Sequence, residues 1–476
     1  MAHYFRLPVY GRVKRYYSQM AENSLSELSG VFGKYIPQEY IQGASLEERG
    51  RLRIFTPLTT FWAFLSQALN PKTSCREALR KLLALSALKG QKMFSANTSA
   101  YCQARQRLPE NVLAITNEYI NAQLEKEIKS AQLWHGRNVH VVDGTGVSMP
   151  DTRANQAIYP QPPVQKAGCG FPVLKLVAIF SLLSGALHTF AKGNLHDNER
   201  TLFRKLFDCL KVGDILIGDR GFCSYIDMLT LKMRGVDTVF RLHWARSADF
   251  RKGKRLGKRD HLITWEKPQR PRWLSPNIFV SLPSTMTVRE VMVHVPVKGF
   301  RTRIVVIVTT LLDAKKYSKA DLAELYFRRW AVELYFRDIK ITLGIDILRC
   351  KSPQMIHKEL LMHIIGYNLI RILIMSATHA YSVDNSRVSF KGTLDTLRQW
   401  LPALFSVITR RRKYRRVFQA MLHYLAHDLV PLRPNRSEPR AVKRRPKNFQ
   451  YMTKPRHQMG NLPHRNNPAQ KSKYYA

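Results

Sequence analysis

The chain has 476 residues, of which 77 are Lys or Arg and 34 are Asp or Glu, so its formal net charge is +43. Such an excess of positive charge favours an anionic partner, with nucleic acid as the first candidate and an anionic membrane surface as the second. The 45% of hydrophobic residues excludes disorder over most of the length. Six cysteines form no CxxC pair, which argues against a disulfide framework or a zinc knuckle and favours a reducing compartment.

The sequence shows no sign of secretion or of a membrane span. The first residues carry early charge and lack the apolar run of a secretory signal. The most apolar stretches, 173–187 and 360–377, are too short or are interrupted by Lys175, His363 and Arg371. We therefore expect a soluble, cytoplasmic, nucleoid-associated protein with no membrane partner.

Residues 1–135 are predicted to be helical. Apolar residues recur at helical spacing in 57–69 and 76–88, and Asn97 or Ser99 is a candidate cap for a third segment. Pro109 is typical of the first turn of a further helix. Two roles remain open for this region: DNA binding through its Lys- and Arg-bearing faces, or oligomerisation.

From about residue 138 the pattern becomes that of a mixed α/β domain. Short β-like runs and helical runs follow one another, and Ser184-Gly185 indicates a hairpin. The predicted strands are 138–143, 171–181, 185–191, 214–219, 237–242 and 303–310. The predicted helices are 198–211, 223–234 and a long one that begins near Ser318. Strands first, then strands alternating with helices, predict a mixed sheet with flanking helices.

The region 245–300 interrupts this order and is predicted to be a β-rich insertion, with strand-like runs at 277–282 and 290–297. Six of the ten residues 251–260 are Lys or Arg. Residues 353 to about 428 are again predicted to be helical, and six of the seven residues 410–416 are basic. The tail 431–476 has seven prolines, twelve Lys or Arg and one acid, so we expect it to be disordered until it meets a polyanion.

Two acids stand at the ends of β runs beside glycine: Asp143 precedes Gly144, and Asp219 follows Gly218. At the carboxyl ends of neighbouring parallel strands, such side chains project into the crevice where open α/β sheets bind ligands. Taken singly, an aspartate beside glycine is more often a turn former than a catalytic residue.

A third acid, Glu333, lies in the long helix predicted after strand 303–310. At about 100° per residue, Tyr326, Arg329, Glu333 and Lys340 fall within roughly 60° of one another on a regular helix. The apolar residues Leu325, Val332 and Ile339 lie on another face, which we expect to pack on the sheet. Glu333 could also form an ordinary surface ion pair with Arg329, four residues before it.

Three carboxylates of this kind suit phosphoryl transfer. They are hard oxygen ligands for Mg²⁺, and two ions about 4 Å apart can activate a nucleophile and stabilise a leaving oxygen. Arg329 and Lys340 would then hold flanking phosphates. The histidines form no metal-binding pattern, and no small-molecule cofactor is expected.

The spacing Tyr326-x₂-Arg329-x₃-Glu333-x₆-Lys340 resembles, at every interval, the Y-R-E-K signature of one class of bacterial insertion-sequence DDE transposases, the IS-four family. The segments 142–145 and 218–222 are similar to the two blocks around that family's aspartates. The match runs in the right order over about 138–350. Before it, the leader is similar but less distinctive, with Pro57-Leu58, Ser74-Cys75 and Tyr101-x₂-Ala104-Arg105.

The resemblance implies an RNase H-like core with a mixed five-stranded sheet, in which Asp143, Asp219 and Glu333 bind two Mg²⁺ ions, with Mn²⁺ as a possible substitute. It implies cut-and-paste movement of the element that encodes the protein, carried out by a homodimer on double-stranded DNA at the element ends and the target. Tyr326, Arg329 and Lys340 would contact phosphates near the cleaved end. In some relatives a tryptophan stacks in place of an extruded base during hairpin formation. Strand 303–310 lacks that tryptophan, which leaves Trp265, Trp273 or Trp330 as substitutes.

These observations divide the chain into four parts: 1–135, the catalytic core 136–350 with its insertion at about 245–300, 351–430, and the tail 431–476. Further residues expected to contact DNA are Arg220, Lys252, Lys254, Arg255, Arg411 and Arg412. Three functions remain open: a transposase, a DNA nuclease that never joins ends, and a catalytically silent DNA-binding repressor.

Overall fold

The computed structural model of the chain describes residues 26–43, 54–88, 94–295 and 304–431, together with 452, 454, 455 and 458. The expectations for residues 1–25 and for nearly all of the tail 431–476 lie outside these residues. The α-helices are α1 Ser26–Phe32, α2 Gln38–Gly43, α3 Pro57–Leu69, α4 Cys75–Leu88, α5 Ser99–Arg107, α6 Glu110–Lys126, α7 Arg153–Ile158, α8 Glu199–Arg204, α9 Tyr225–Met233, α10 Pro276–Ser281, α11 Lys319–Phe327, α12 Ala331–Arg337, α13 Pro353–Tyr381, α14 Phe390–Ser406 and α15 Arg411–His427. The strands are β1 Val139–Ser148, β2 Val173–Ser181, β3 Leu187–Gly193, β4 Ile215–Gly218, β5 Asp237–Arg241, β6 Lys254–Gly257, β7 Asp260–Glu266, β8 Thr285–His294 and β9 Ile304–Thr309.

All nine strands form one mixed sheet in the order β3-β2-β1-β4-β5-β9-β8-β7-β6. Strand β1 is parallel to β4, and β4 is parallel to β5. Strands β2 and β9 run antiparallel to their neighbours β1 and β5. The predicted mixed sheet with flanking helices is therefore present.

The sheet has nine strands rather than the expected five, and the reason lies in the region 245–300. Strand β8 pairs with β9 in the register Val291↔Ile307, and β7 and β6 follow it. The strands of that region thus extend the same sheet instead of forming a separate layer, which gives β9 a partner on its second edge. The run 277–282 was expected to be a strand, but all of it except Leu282 lies in helix α10, because Ser275 caps the N-terminus of that helix and Pro276 occupies its first turn.

Helices cover both faces of the sheet. On one face, Val139 and Val141 of β1 pack with the N-terminal helices and with α11 to α14. On the other, Val142 of β1 packs with Leu202 and Phe203 of α8 and with helix α9. Successive residues of β1 therefore face opposite layers, as the two-residue period of a strand requires.

Helix α13 is the centre of the larger helical layer. It is long and apolar enough to span a membrane, and it is the one helix of the described residues that is, but 89% of its most apolar window is buried inside the protein. Its Asn368 accepts a hydrogen bond from the Leu187 amide at 2.9 Å and donates to Asn117 of α6 at 2.8 Å. The helix therefore ties α6 to strand β3, as expected of a core helix that is apolar on all sides.

The segment 326–340, which we call the signature segment, is not one regular α-helix as expected. Helix α11 ends at Phe327, residues 328–330 form a 3₁₀ turn, α12 follows, and residues 338–342 form a π turn. The π turn is anchored where Asp338 receives a hydrogen bond from Arg371 of α13 at 3.1 Å. The regular-helix spacing of 100° per residue therefore does not describe how its side chains are presented.

Candidate active site

Asp143 and Asp219 lie beside each other on adjacent parallel strands. The β1–β4 register pairs Val142 with Gly218, so the two acids follow as the next residues on their strands. Strand β4 ends there while β1 continues to Ser148, so this side of β1 has no strand partner at Asp143, and pairing resumes where Ser148 meets Ile347. Gly218 is tightly enclosed, because a Cβ atom at that position would lie 3.0 Å from side-chain carbons of Val142 and Phe240.

The carboxyl group of Asp143 is held in an unfavourable setting for a negative charge. Burial raises its pKa to about 6, and the nearby acids Asp219 and Glu199 contribute to the increase. Two opposing influences favour the charged form: the Gly144 amide donates to Asp143 Oδ1 at 2.8 Å, and the Arg329 guanidinium lies nearby. A bound cation would relieve the remaining cost.

Tyr326 and Arg329 are buried, with 2% and 8% of their surfaces exposed, rather than displayed on a polar helix face as expected. Burial raises the pKa of Tyr326 to about 12, and the negative charge of Asp219 contributes. The Arg329 Nε–H has no hydrogen-bond partner among the described residues. A buried donor without a partner is costly, so Arg329 retains unused capacity to bind an anion.

Glu333 is the exposed member of the signature segment, with 63% of its side chain accessible. Its Oε1 lies 4.0 Å from Nη2 of Arg329, whose charge also acts on Asp143. The positive charge of Arg329 therefore acts on both Glu333 and Asp143. No three Asp, Glu, His or Cys side chains of the described residues are arranged so as to hold a metal ion.

Lys340 connects the signature segment to the strand that carries Asp143. Its Nζ donates to the carbonyl oxygen of Gly146 at 2.9 Å and to Oγ1 of Thr145 at 3.2 Å. The Arg371–Asp338 bond on the other side of the π turn holds the same stretch against α13. Lys340 thus docks the segment on β1, a contact that the sequence pattern did not indicate.

Two further charged residues join the site without having been expected from the sequence. Arg241 ends β5, the neighbour of β4, and burial together with repulsion from Arg220 and Arg329 lowers its pKa. Glu199 begins α8 and lies close enough to Asp143 to raise its pKa. Neither belongs to a recognisable motif, and the one signal for Arg241 was its place at the end of a strand next to Asp219.

The remaining expected DNA contacts lie elsewhere. Arg220 follows Asp219 and lies at the site. Lys252, Lys254 and Arg255 are exposed at the β6 edge, five strands from β4 or about 24 Å at 4.8 Å per strand. Arg411 and Arg412 are exposed in the first turn of α15.

The residues of the site fit a divalent cation by their chemistry. Two carboxylates lie side by side, one of them buried at a cost, whereas Glu333 pairs with Arg329 and is not grouped with the two aspartates so as to hold a metal ion. Hard oxygen donors of this type are the ligands that Mg²⁺ prefers.

A mixed sheet that carries paired aspartates at its carboxyl edge, followed by the signature segment, defines a DNA-processing enzyme of the DDE class. Residues 134–369 match the family model of the transposase DDE domain, and the chain belongs to that family. It is 27% identical over 409 residues to the transposase InsG for insertion sequence element IS4 of Escherichia coli (strain K12), a match that covers 83% of this chain and 86% of that protein. The family resemblance inferred from the sequence is therefore confirmed, and the protein is a DNA transposase of the IS4 type.

Among solved structures, the chain is similar to the piggyBac transposase in a synaptic complex with hairpin DNA. That likeness covers 90% of this chain and 88% of the other at 9% identity, with a TM-score of 0.40.

Proposed function

We propose that this transposase binds the terminal inverted repeats of its element, cleaves the DNA there and joins the 3′ ends to target DNA, using Asp143, Asp219 and Glu333 with Mg²⁺. The observation that carries the proposal is the side-by-side placement of Asp143 and Asp219 at the open edge of β1, with Arg329 near Asp143 and paired with Glu333. Mn²⁺ is the expected substitute cation. Two ions per site are the arrangement that suits an in-line displacement.

We further propose that β1 to β5 form an RNase H-like core. Their order is β3-β2-β1-β4-β5, and β2 is the strand that opposes the parallel set β1, β4 and β5. Strands β6 to β9 then extend this core at its β5 edge. The helical regions 1–135 and 351–430 would serve end recognition and assembly of a homodimer on double-stranded DNA.

The roles of the side chains follow from their positions. Asp143 and Asp219 would share a cation. Without a cation, two neighbouring carboxylates in a partly buried site repel each other, and keeping both ionised costs free energy. Glu333 is exposed, so its side chain could move away from Arg329 and become a further ligand of the cation. When bound, Mg²⁺ would lower the pKa of the attacking water or 3′-hydroxyl and stabilise the departing oxygen.

Arg329 and Lys340 would act on the phosphates that flank the cut. Arg329 has an unpaired Nε–H and could donate to a phosphate oxygen when Glu333 moves away. The Lys340 ammonium has three N–H donors and uses two of them on β1, so the third could bind a phosphate oxygen. Tyr326, buried beneath them, would help to hold Arg329 in place, since the Arg329 guanidinium lies 5.8 Å from the centre of the Tyr326 ring.

The two exposed basic clusters would bind DNA outside the site. Lys254 and Arg255 lie in the edge strand β6 and Lys252 lies just before it, about 24 Å from the acids, or roughly seven base pairs along a duplex. Arg411 and Arg412 begin α15, where the helix dipole disfavours cations unless an anion is also bound. A cytoplasmic, nucleoid-associated location would follow from such a DNA-binding surface.

Two other functions use the same fold. A nuclease would cleave and never join, and a silent repressor would bind without cleaving. The intact acid pair and the complete signature segment favour an active enzyme over the repressor.

The deciding experiment is a strand-transfer assay with pre-cut end DNA that carries a free 3′-hydroxyl. Joined products with Mg²⁺ are expected from the unchanged protein, whereas the variants Asp143→Asn, Asp219→Asn and Glu333→Gln should bind ends and neither cut nor join. Cleavage without joining would identify a nuclease. Near-normal cleavage by any of the three variants would refute the site assignment.

A further inference from the structure

A cavity of about 570 Å³ lies between the N-terminal helices and the loop that follows the signature segment. Its walls come from α3, the loop 70–74, α5, residues 343–352 and the first turns of α13. Cys75 and Arg105, which belong to two separate segments of the leader, both line it. The volume is that of a site for a small molecule, and the proposed function uses none of the lining residues.

Arg105 is the buried cation of this cavity, with 6% of its surface exposed. Its guanidinium carbon lies 3.9 Å from the centre of the Phe64 ring, which fixes the plane of the group. Among the described residues, its Nη1 and Nη2 donate to sulfur atoms, those of Cys75 at 3.2 Å and Cys350 at 3.3 Å, and its Nε–H has no partner. Thiol sulfur is a weak acceptor, so the guanidinium keeps most of its capacity to bind an oxyanion.

The charge of Arg105 is not neutralised by its surroundings. No carboxylate of the described residues forms an ion pair with its guanidinium. Burial raises the pKa of the Cys102 and Cys350 thiols, so both remain neutral. The charge of Glu359 acts on Arg105 from a distance, but its carboxylate accepts the backbone amides of Arg349 at 3.0 Å and Cys350 at 2.9 Å. A buried charge without a counterion costs free energy, which a bound anion would offset.

Further positive charge stands at the mouth of the cavity, where Lys72, Arg349 and Lys351 are exposed. Arg349 also donates to the carbonyl oxygen of Thr73 at 3.4 Å and so links the two loops that form the mouth. These three cations and the buried arginine face one carboxylate, and this excess suits a doubly charged anion better than a singly charged one. The thiols and acids of the described residues form no group that could hold a metal ion, so the cavity favours an anion.

The rest of the wall is largely apolar and indicates the size of the ligand. Its apolar side chains are Phe64, Ala68, Pro71, Leu343, Ile347 and Met355. Inorganic phosphate alone would leave most of the volume unfilled. The backbone of a duplex is too wide to reach an arginine at this depth. A phosphate attached to a body of nucleoside size satisfies both the charge and the volume.

We infer that this cavity binds a phosphate monoester, with Arg105 holding the phosphate and the apolar wall holding the nucleoside-sized body. The group could belong to a free nucleotide or to the 5′-phosphate end of a DNA strand, since both present the same doubly charged monoester. A DNA end is within reach, because Ile347 of the cavity pairs with Ser148 of β1, about 17 Å along the strand from Asp143. The inference goes beyond the proposed function, which requires neither the cavity nor Arg105.

The test is calorimetry with the full-length protein in EDTA, so that the outcome does not depend on the proposed metal site. We expect adenosine 5′-monophosphate to bind, and adenosine, which lacks the phosphate, to bind at least about tenfold more weakly. Equal binding of the two, or no binding of the monophosphate, would overturn the inference. A 5′-phosphorylated oligonucleotide that displaces the monophosphate, when its 5′-hydroxyl form does not, would identify DNA ends as a source of the group. Displacement by neither would identify a free nucleotide as the ligand.

Variants locate the binding. Arg105→Gln should raise the Kd of the monophosphate at least about tenfold, because it removes the charged donor. Lys351→Gln at the mouth should raise it a few-fold, by an amount that shrinks as salt is added. Arg107→Gln, exposed on the same helix, is the matched control and should leave the Kd unchanged. An unchanged Kd in folded Arg105→Gln, established by circular dichroism, would overturn the assignment.

Alkylation of the cysteines gives a second measurement on the unchanged protein, which decides the matter if Arg105→Gln does not fold. Cys75 and Cys102 are partly exposed and line the cavity. Saturating monophosphate should slow their reaction with N-ethylmaleimide at least severalfold, as followed by mass spectrometry. Cys169 is also partly exposed but lies outside the cavity, and its rate should not change. Unchanged rates at Cys75 and Cys102 would show that the monophosphate binds elsewhere and would refute the site.

Discussion

The buried charge of Asp143 should destabilise the metal-free protein, and its removal should therefore stabilise the fold. Burial raises the pKa of Asp143 from 3.8 to about 6. An acid whose pKa is higher in the folded than in the unfolded chain binds protons more tightly when folded. Protonation of Asp143 therefore stabilises the folded protein at low pH. This stabilisation is lost as the pH rises from below 4 to above 6, so that ionised Asp143 destabilises the folded protein at neutral pH.

The magnitude follows from the size of the shift. A shift of about two pKa units corresponds to about 3 kcal/mol at pH 7.5, where both states are ionised. At pH 4 the cost falls to about 0.5 kcal/mol, because the folded chain is then protonated at Asp143 and the unfolded chain is partly so. Asp143→Asn keeps an oxygen that can accept the Gly144 amide, so the substitution removes the charge and little else.

The assay is denaturant unfolding in EDTA at pH 7.5 and at pH 4, comparing Asp143→Asn with the unchanged protein. We expect the variant to unfold at higher denaturant at pH 7.5 and at nearly the same concentration at pH 4. Asp208→Asn serves as the control, because Asp208 is exposed and pairs with Arg234 at the surface. Adding Mg²⁺ at pH 7.5 should stabilise the unchanged protein and not the variant. A variant less stable than the unchanged protein at pH 7.5 would refute the reasoning that Asp143 is held at a cost.

Three other predictions concern DNA and the signature segment. Replacing Lys252, Lys254 and Arg255 by Gln should reduce the slope of log affinity against log salt by about 0.9 for each phosphate that the protein no longer neutralises. Cleavage of bound ends should be retained. An unchanged slope in a filter-binding assay would show that the β6 edge does not contact DNA. Lys340→Met should lower the thermal midpoint more than Thr145→Val does, because Thr145→Val removes one of the two hydrogen bonds of Lys340; equal shifts in a melting assay would contradict this docking role. Metal affinity should fall as the pH is lowered through about 6, since Asp143 must lose its proton to bind a cation; a flat calorimetric profile from pH 7.5 to 5 would argue against Asp143 as a ligand.

The sequence pattern ended one strand at Asp219, within one residue of the end of β4 at Gly218, but it ended the other at Asp143, whereas β1 continues to Ser148. The two acids are neighbours because β1 and β4 are parallel and pair Val142 with Gly218. Helix α10 was missed although Ser275 and Pro276 form an ordinary helix start, because the β-branched and aromatic run after them outweighed it. The nine-strand sheet was beyond local pattern, since strand β8 joins β9 through pairing that no short segment encodes.

The signature segment shows where a periodicity argument fails. A 3₁₀ turn and a π turn change the angle between successive side chains, and no proline or glycine within 326–340 announces either. Glu199 and Arg241 were missed for another reason: each is a single charged residue outside any motif, brought to the site by α8 and β5.

The burial of Tyr326 and Arg329 changes how the spacing of the signature should be understood. On a straight surface helix, the spacing would serve to display four polar groups to DNA. Here Tyr326 and Arg329 lie within the protein, Lys340 is bonded to β1, and Glu333 alone is exposed. The spacing therefore fits a segment that is docked at both ends, with Tyr326 and Arg329 beneath the acids and Lys340 on the strand beyond them. The Nε–H of Arg329 has no partner among the described residues, whereas its Nη2 is paired with Glu333. If Glu333 moved away, the guanidinium of Arg329 would be free to bind a phosphate, and the carboxylate of Glu333 would be free to bind a cation.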